Sequence, residues 1–329
     1  MPKDLSSDDG NRPRTVEVTA PSRLHFGLLS FGHTDRRQFG GAGVMLAVPN
    51  CRVFIRGAER LEVGGYQAER ARRFALRWAE TCGRPAELRC HIDVLAAPPC
   101  HVGLGSGTQL ALATAAGLDC FFDLPTKSAE QLATCVGRGL RSAVGTYGFF
   151  RGGFVAEPGK RVDDALAPLG QRLEVPEAWR FVLIRPTDIL GRHGEAERSA
   201  FTDLPPVPAK TTELLDSELH ERMIPALKRQ DCKAFGDSVF CYGLLAGECF
   251  ATCQGGPFAS SRLAAIASRV RALGAAGVGQ SSWGPTLFAI LPDDCQARKL
   301  VDQLARELES TVELQVVTPN NQGAIVSVD

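Results

Sequence analysis

The chain carries no surplus charge, because 37 lysines and arginines stand against 37 aspartates and glutamates. Without a net field nothing holds a polyanion at physiological salt, so no nucleic-acid partner is expected. Any bound anion must be gripped by helix N-termini, backbone amides and a few arginines, and should be small. No stretch approaches about 18 uninterrupted apolar residues, the length needed to span a bilayer. Met1 to Pro13 also lacks the apolar core of a signal peptide. A cytoplasmic protein without a membrane partner is the expectation. The 11 cysteines run from Cys51 to Cys295 with no C-x-x-C pair, which excludes a zinc site or a disulfide framework as the organising principle. The tightest group, Cys241, Cys249 and Cys253, reads as small apolar side chains buried on helix faces. Internal repeats and low-complexity segments are missing as well.

What is present is a globular composition, 329 residues of which 44% are hydrophobic and 22% charged. One hydrophobic centre stops growing near roughly 250 to 300 residues, so two domains are expected. Residues 1–14 read as a disordered tail, 15–178 as an N-terminal domain and 179–329 as a C-terminal one. Strands are expected at Thr15 to Thr19, Val44 to Arg56 and Glu87 to Leu95, with a helix between the last two at Glu69 to Thr81. An apolar, alanine-rich run from Leu110 to Phe122 reads as a buried helix. Ser128 and Gln131 form a capping box for Ala129 to Val136, and a second glycine-rich stretch spans Gly145 to Gly153. Beyond Arg180 to Arg185, a strand, and the connector Asp203 to Ala209, helices are expected at Thr212 to Lys228, Cys232 to Cys249 and Ser260 to Leu273. The chain closes with strand Thr286 to Leu291, helix Asp294 to Ser310 and strand Glu313 to Val317. The class is α+β in two layered domains.

The main motif lies between the third strand and the alanine-rich helix. Gly103-Leu-Gly-Ser-Gly-Thr-Gln109 puts three glycines and two hydroxyls just ahead of a helix, the arrangement that points backbone amides at an anion. It is no P-loop, since G-K-S/T does not follow, and the third glycine of a dinucleotide fingerprint is missing. A plain strand-to-helix turn with Ser106 as N-cap is the rival reading.

Three segments resemble the GHMP kinases, the superfamily of galactokinase, homoserine kinase, mevalonate kinase and phosphomevalonate kinase. Pro99 to Gln109 looks like the P-x-x-x-G-L-G-S-S/G motif, Ala20 to His25 like the N-terminal motif, and Gly274 to Pro285 occupies the place of the third. That resemblance implies an α+β, GHMP-kinase-like two-domain fold, an N-terminal β-α sandwich-type domain followed by a ferredoxin-like one. Yet where the kinases read S-G-x-D, with the aspartate acting on the acceptor hydroxyl, this chain reads Ser142-Ala-Val-Gly145. The departures fit a narrower group. PSRLHFGLL (Pro21 to Leu29), HVGLGSGTQ (His101 to Gln109), GRGLRSAVGTYGF (Gly137 to Phe149) and QSSWGPT (Gln280 to Thr286) resemble the β-ribofuranosylaminobenzene 5′-phosphate synthase family.

That resemblance implies a decarboxylating phosphoribosyltransferase of methanopterin biosynthesis. It would join phosphoribosyl pyrophosphate to 4-aminobenzoate or 4-hydroxybenzoate and release carbon dioxide and pyrophosphate. The para donor group pushes electrons to the attacking ring carbon, so no organic cofactor is expected; magnesium and a homodimer stay open. An ATP-dependent kinase and a non-catalytic ligand sensor are the rivals. Phosphate contacts are assigned to Gly103, Gly105, Ser106, Gly107, Thr108 and Gln109. Arg138 and Arg141, three apart near a helix end, are expected to converge on one phosphate. Arg23 and His25, two apart on a strand and so on one face, supply an anion clamp and a proton-handling imidazole; Ser142 is counted with them as catalytic. Gln280, Ser281, Ser282 and Trp283 are expected to grip the aromatic acid, Trp283 either by stacking or as plain core. The charged loop Arg192 to Glu197, with Glu195, would hold magnesium or steady the ribose.

Overall fold

The computed structural model describes residues 15–84, 88–189, 191, 194–308 and 310–329, with backbone only for 194–198. The tail 1–14 therefore lies outside the described residues, as do Arg192 and His193 and the side chain of Glu195. The strands are β1 (Thr15–Gly27), β2 (Gly41–Gly57), β3 (Glu62–Gly65), β4 (Cys90–Ala96), β5 (Phe154–Glu157) and β6 (Gln171–Leu173) in the first half. In the second they are β7 (Arg180–Pro186), β8 (Gly277–Gln280), β9 (Leu287–Leu291), β10 (Val312–Val317) and β11 (Ile325–Val328). The helices are α1 (Ala68–Thr81), α2 (Ser106–Phe121), α3 (Ala129–Cys135), α4 (Val144–Arg151), α5 (Gly194–Asp203), α6 (Ala209–Ser217), α7 (Ile224–Lys228), α8 (Cys232–Glu248), α9 (Ala251–Gln254), α10 (Ser261–Ala272) and α11 (Asp294–Glu307).

The first sheet runs β11-β1-β2-β4-β3, with β5 on β2 and β6 on β5. Apolar residues at every second position of β1 and β2, Val16, Val18, Val53 and Ile55, face α1 and α2 across a core that includes Trp78, Leu110 and Leu118. The second sheet runs β10-β7-β9-β8, antiparallel throughout. Numbered from β7, that is the 4-1-3-2 order of a ferredoxin-like β-α-β-β-α-β unit. A further apolar cluster joins the two sheets, since Leu24, Phe26 and Val44 of the first pack with Phe181, Leu183 and Phe288 of the second.

The fold departs from the sequence expectation in several places. β11, a strand not expected from the sequence, pairs antiparallel with β1, Val16 opposite Val328, and so joins the first sheet. The stretch Gly145 to Gly153 is largely helical: at Gly148 a β-carbon would lie 2.2 Å from the sulfur of Met45, so glycine there lets α4 lie close against β2. The helix expected at Thr212 to Lys228 contains a wider π turn over Glu218–Met223, just ahead of Pro225, which has no amide to donate. All 11 cysteines are free, but Cys241 is exposed and Cys249 and Cys253 are only half-buried. Among the described residues, no helix is long and apolar enough to cross a membrane.

Candidate active site

A cavity of about 330 Å³ opens where β1, the loop between α3 and α4, α8 and the loop after β8 meet. Its polar lining includes Arg23, His25, Thr108, Arg138, Arg141 and Ser142, and its apolar lining includes Phe201, Phe250 and Trp283. Arg23 and His25 face it from β1 across from Met45 and Gly43, between two irregularities in strand pairing, at Ala20/Ser22 and at His25/Gly27. Such irregularities bend a strand and re-aim its side chains.

The glycine loop approaches the cavity beside Arg23. Gly103 and Gly105 have φ of 87° and 71°, and a β-carbon on Gly103 would sit 2.3 Å from the carbonyl oxygen of Ser281. Gly105, not Ser106, is the N-cap of α2; its carbonyl accepts from the amides of Thr108 and Gln109 at 3.0 and 3.1 Å. The amides of Ser106 and Gly107 precede these and have no acceptor within the helix. Three guanidinium groups surround this turn. Arg23 Nε lies 3.2 Å from where a β-carbon of Gly105 would stand; Arg70 Nη2 and Arg138 Nη2 lie 2.5 and 3.5 Å from that of Gly107. Open amides and three cations make an anion cradle. Arg70 was not among the expected residues, because it sits on α1 among other arginines and only the fold separates it from them. Gln67 Oε1 and Cys100 Sγ, at 2.6 and 2.9 Å, hold its Nη1.

His25 is buried, and its Nε2 lies 2.9 Å from Ser142 Oγ. Burial first, and the Arg23 charge second, hold its pKa well below the ordinary histidine value, so the ring is neutral at pH 7. Ser142 Oγ also accepts from the Val144 amide at 3.2 Å. Glu157, at the end of β5 and 1% exposed, accepts from the amides of Ala143 and Gly159 at 3.1 and 2.8 Å. Burial nonetheless pushes its carboxyl up to about 7. Its one signal in the sequence is a lone carboxylate closing the apolar run Phe154 to Ala156.

Other expected residues have different surroundings. Gln109 turns inward, fully buried, and donates through Nε2 to the Gly145 carbonyl at 2.9 Å, so its side chain braces α4 and does not reach an anion at the loop. Arg138 follows the C-terminal end of α3, its amide donating to the Ala133 carbonyl at 2.8 Å, and Arg141 lies in the same loop; they rest on different rings, Phe74 and Phe201, at 4.8 and 4.5 Å. Ser281, fully buried, accepts from the His25 amide at 3.0 Å and donates to the Gly103 carbonyl at 2.7 Å, pinning the glycine loop to β1. Gln280 is spent on the Ala259 amide and the Ser282 carbonyl at 2.8 and 3.1 Å. Ser282 Oγ accepts from Arg23 Nη1 at 3.3 Å. Trp283 lines the cavity and packs edge-on against Phe250 and Phe201 with ring centres 4.7 and 5.7 Å apart. Glu195 falls on α5 and not in a loop.

The fold is that of the GHMP kinases. Residues 223–310 match the family described as GHMP kinases C terminal. The structure superposes on homoserine kinase from Cytophaga hutchinsonii with a TM-score of 0.68 at 17% identity, covering 98% of this chain and 100% of that one. In sequence the chain is similar to the β-ribofuranosylphenol 5′-phosphate synthase of Archaeoglobus fulgidus, 29% identical over 84% of this chain and 87% of that protein. The enzyme of the same name from Methanothermobacter thermautotrophicus is 28% identical, over 83% and 88%. The chain is thus similar to these synthases in sequence and has the GHMP-kinase fold.

Proposed function

We propose that this chain is a decarboxylating phosphoribosyltransferase, joining phosphoribosyl pyrophosphate to 4-hydroxybenzoate or 4-aminobenzoate with release of carbon dioxide and pyrophosphate. The observation that carries this reading is an anion cradle that adjoins an aromatic-walled cavity, with Arg23 and Arg138 belonging to both. The cradle is the Ser106 and Gly107 amides with Arg23, Arg70 and Arg138; the wall is Phe201, Phe250 and Trp283. The names of the relatives support it, and so does Gly145, which leaves the usual place of a kinase's aspartate without a carboxylate.

In this reading the cradle holds the pyrophosphate and favours its departure, since preorganised cations and amides stabilise charge as it develops. The aromatic wall holds the benzoate ring against the ribose carbon. Neutral His25 takes the proton of the para hydroxyl as the ring attacks and returns it when carbon dioxide leaves. Among the described residues no group of three or more histidine, cysteine, aspartate or glutamate side chains could hold a metal ion. The product would feed methanopterin synthesis in the cytoplasm.

The test is product identification. Incubated with phosphoribosyl pyrophosphate and either benzoate, the protein should yield an aryl riboside 5′-phosphate lacking the carboxyl carbon, seen by mass spectrometry. An unchanged substrate mixture would sink the reading.

A further inference from the structure

Helix α8 contains three glycines, Gly236, Gly243 and Gly247, although glycine favours a helix interior less than any residue except proline. Packing accounts for two of them. A β-carbon on Gly236 would stand 2.4 Å from the amide nitrogen of Gly277, so its absence lets α8 lie directly on β8; one on Gly247 would stand 2.2 Å from the carbonyl oxygen of Pro257. Gly243 has no such neighbour, for a β-carbon there would meet nothing within 4 Å. Its backbone does not call for glycine either, since its φ is not positive. The other described glycines with that much room, Gly57, Gly83, Gly255, Gly256 and Gly274, stand at the exposed end of β2 or in turns with positive φ.

The open space over Gly243 belongs to the cavity of the candidate active site, which Gly243 lines. Phe240, Gly243, Gly247 and Phe250 follow one another at spacings of three, four and three, which sets them along one face of α8 and its continuation, and all four line that cavity. This face is a trough, floored by helix backbone at the two glycines and closed by a phenylalanine at each end. Every residue that α8 itself contributes to the cavity, Phe240, Gly243, Leu244, Ala246 and Gly247, lacks a polar side chain.

We propose that Gly243 is a specificity-determining residue of this site: the ring of the aromatic acid lies over it, in the space that any other side chain would fill. The inference rests on the proposed function for the identity of the acid, and deepens it by seating the ring between α8 and the wall of Phe250 and Trp283. A flat ring suits such a trough, because it fills a narrow gap while burying a large apolar area. The helix gives the ring apolar contact only, and the polar ends of the acid are held by other elements.

Stability of the free protein is the first readout. Gly243→Ala gains helix propensity and enters empty space, so its Tm should rise by roughly 2 °C. A lower Tm would mean that glycine is required there for packing, and overturns the proposal. Binding is the second readout, by titration calorimetry with 4-hydroxybenzoate while inorganic pyrophosphate fills the cradle, a mixture in which no reaction follows. Affinity for the acid should fall roughly 10-fold in Gly243→Ala, the worth of one carbon in an apolar pocket, and on the order of 100-fold or more in Gly243→Leu. Affinity for pyrophosphate should stay within roughly twofold in the alanine variant, since a β-carbon on Gly243 touches no residue of the cradle. Equal affinity for the acid in parent and alanine variant overturns the proposal, as does a parent that binds none. The two claims fail separately. Binding that depends on Gly243, with no carbon dioxide released in the full reaction, upholds this inference and sinks the reaction assigned above; decarboxylation whose KM for the benzoate ignores Gly243 does the reverse.

Discussion

Gly107 and Arg70 share one space: a β-carbon on the glycine would stand 2.5 Å from Nη2 of the arginine. The two are 37 residues apart in the chain and on different helices, yet the absence of a side chain at one is what admits the guanidinium of the other to the mouth of the anion cradle.

Arg70→Met should therefore weaken pyrophosphate binding roughly 10- to 100-fold, the loss expected when a hydrogen bond to a charged group is removed, with the fold intact. Titration calorimetry with pyrophosphate reads this directly. An unchanged affinity would remove Arg70 from the cradle.

At Gly145 a β-carbon would have ordinary contacts with Thr108, Gln109 and Arg23 Nε, at 3.5, 3.6 and 3.8 Å. Aspartate therefore fits, and its carboxylate would reach the Arg23 guanidinium and occupy it. Gly145→Asp should fold, lose pyrophosphate affinity by roughly 10-fold or more and gain no kinase activity, while Gly145→Asn should lose much less. Equal effects of the two would show that size and not charge matters there.

His25 and Glu157 push stability in opposite directions with pH. The native pKa of Glu157 is raised, so its contribution is full below about 4.5, the ordinary glutamate value, and is lost as pH rises through about 7. The native pKa of His25 is lowered, so its contribution is present above 6.5 and lost as pH falls towards the native value. Replacing Glu157 by Gln removes the first effect alone. The stability of the variant relative to the parent should rise by about 3 kcal/mol between pH 4.5 and 8, at 1.36 kcal/mol per pKa unit. Urea unfolding at the two pH values measures it, and a constant difference would contradict the raised carboxyl.

The glycine loop, the β1 pair Arg23 and His25, and most helices were legible because each is a local pattern: a turn before an apolar run, alternation along a strand, a capping box at Ser128 with both of its bonds present. What escaped depends on distant contacts. β11, four exposed residues with no strand expected from the sequence, forms by pairing with β1. Arg70 and Glu157 become site residues only when α1 and β5 are laid beside the loops they serve. Gln109 and Ser281 sit in the motifs, but the fold spends their side chains on bracing it.

The central claim is tested by following both leaving groups at once. With phosphoribosyl pyrophosphate and carboxyl-labelled 4-hydroxybenzoate, and no ATP, the purified protein should release labelled carbon dioxide and pyrophosphate in equal amounts. Phosphoryl transfer from ATP to a sugar or alcohol with no carbon dioxide released, or ligand binding without any turnover, would contradict it.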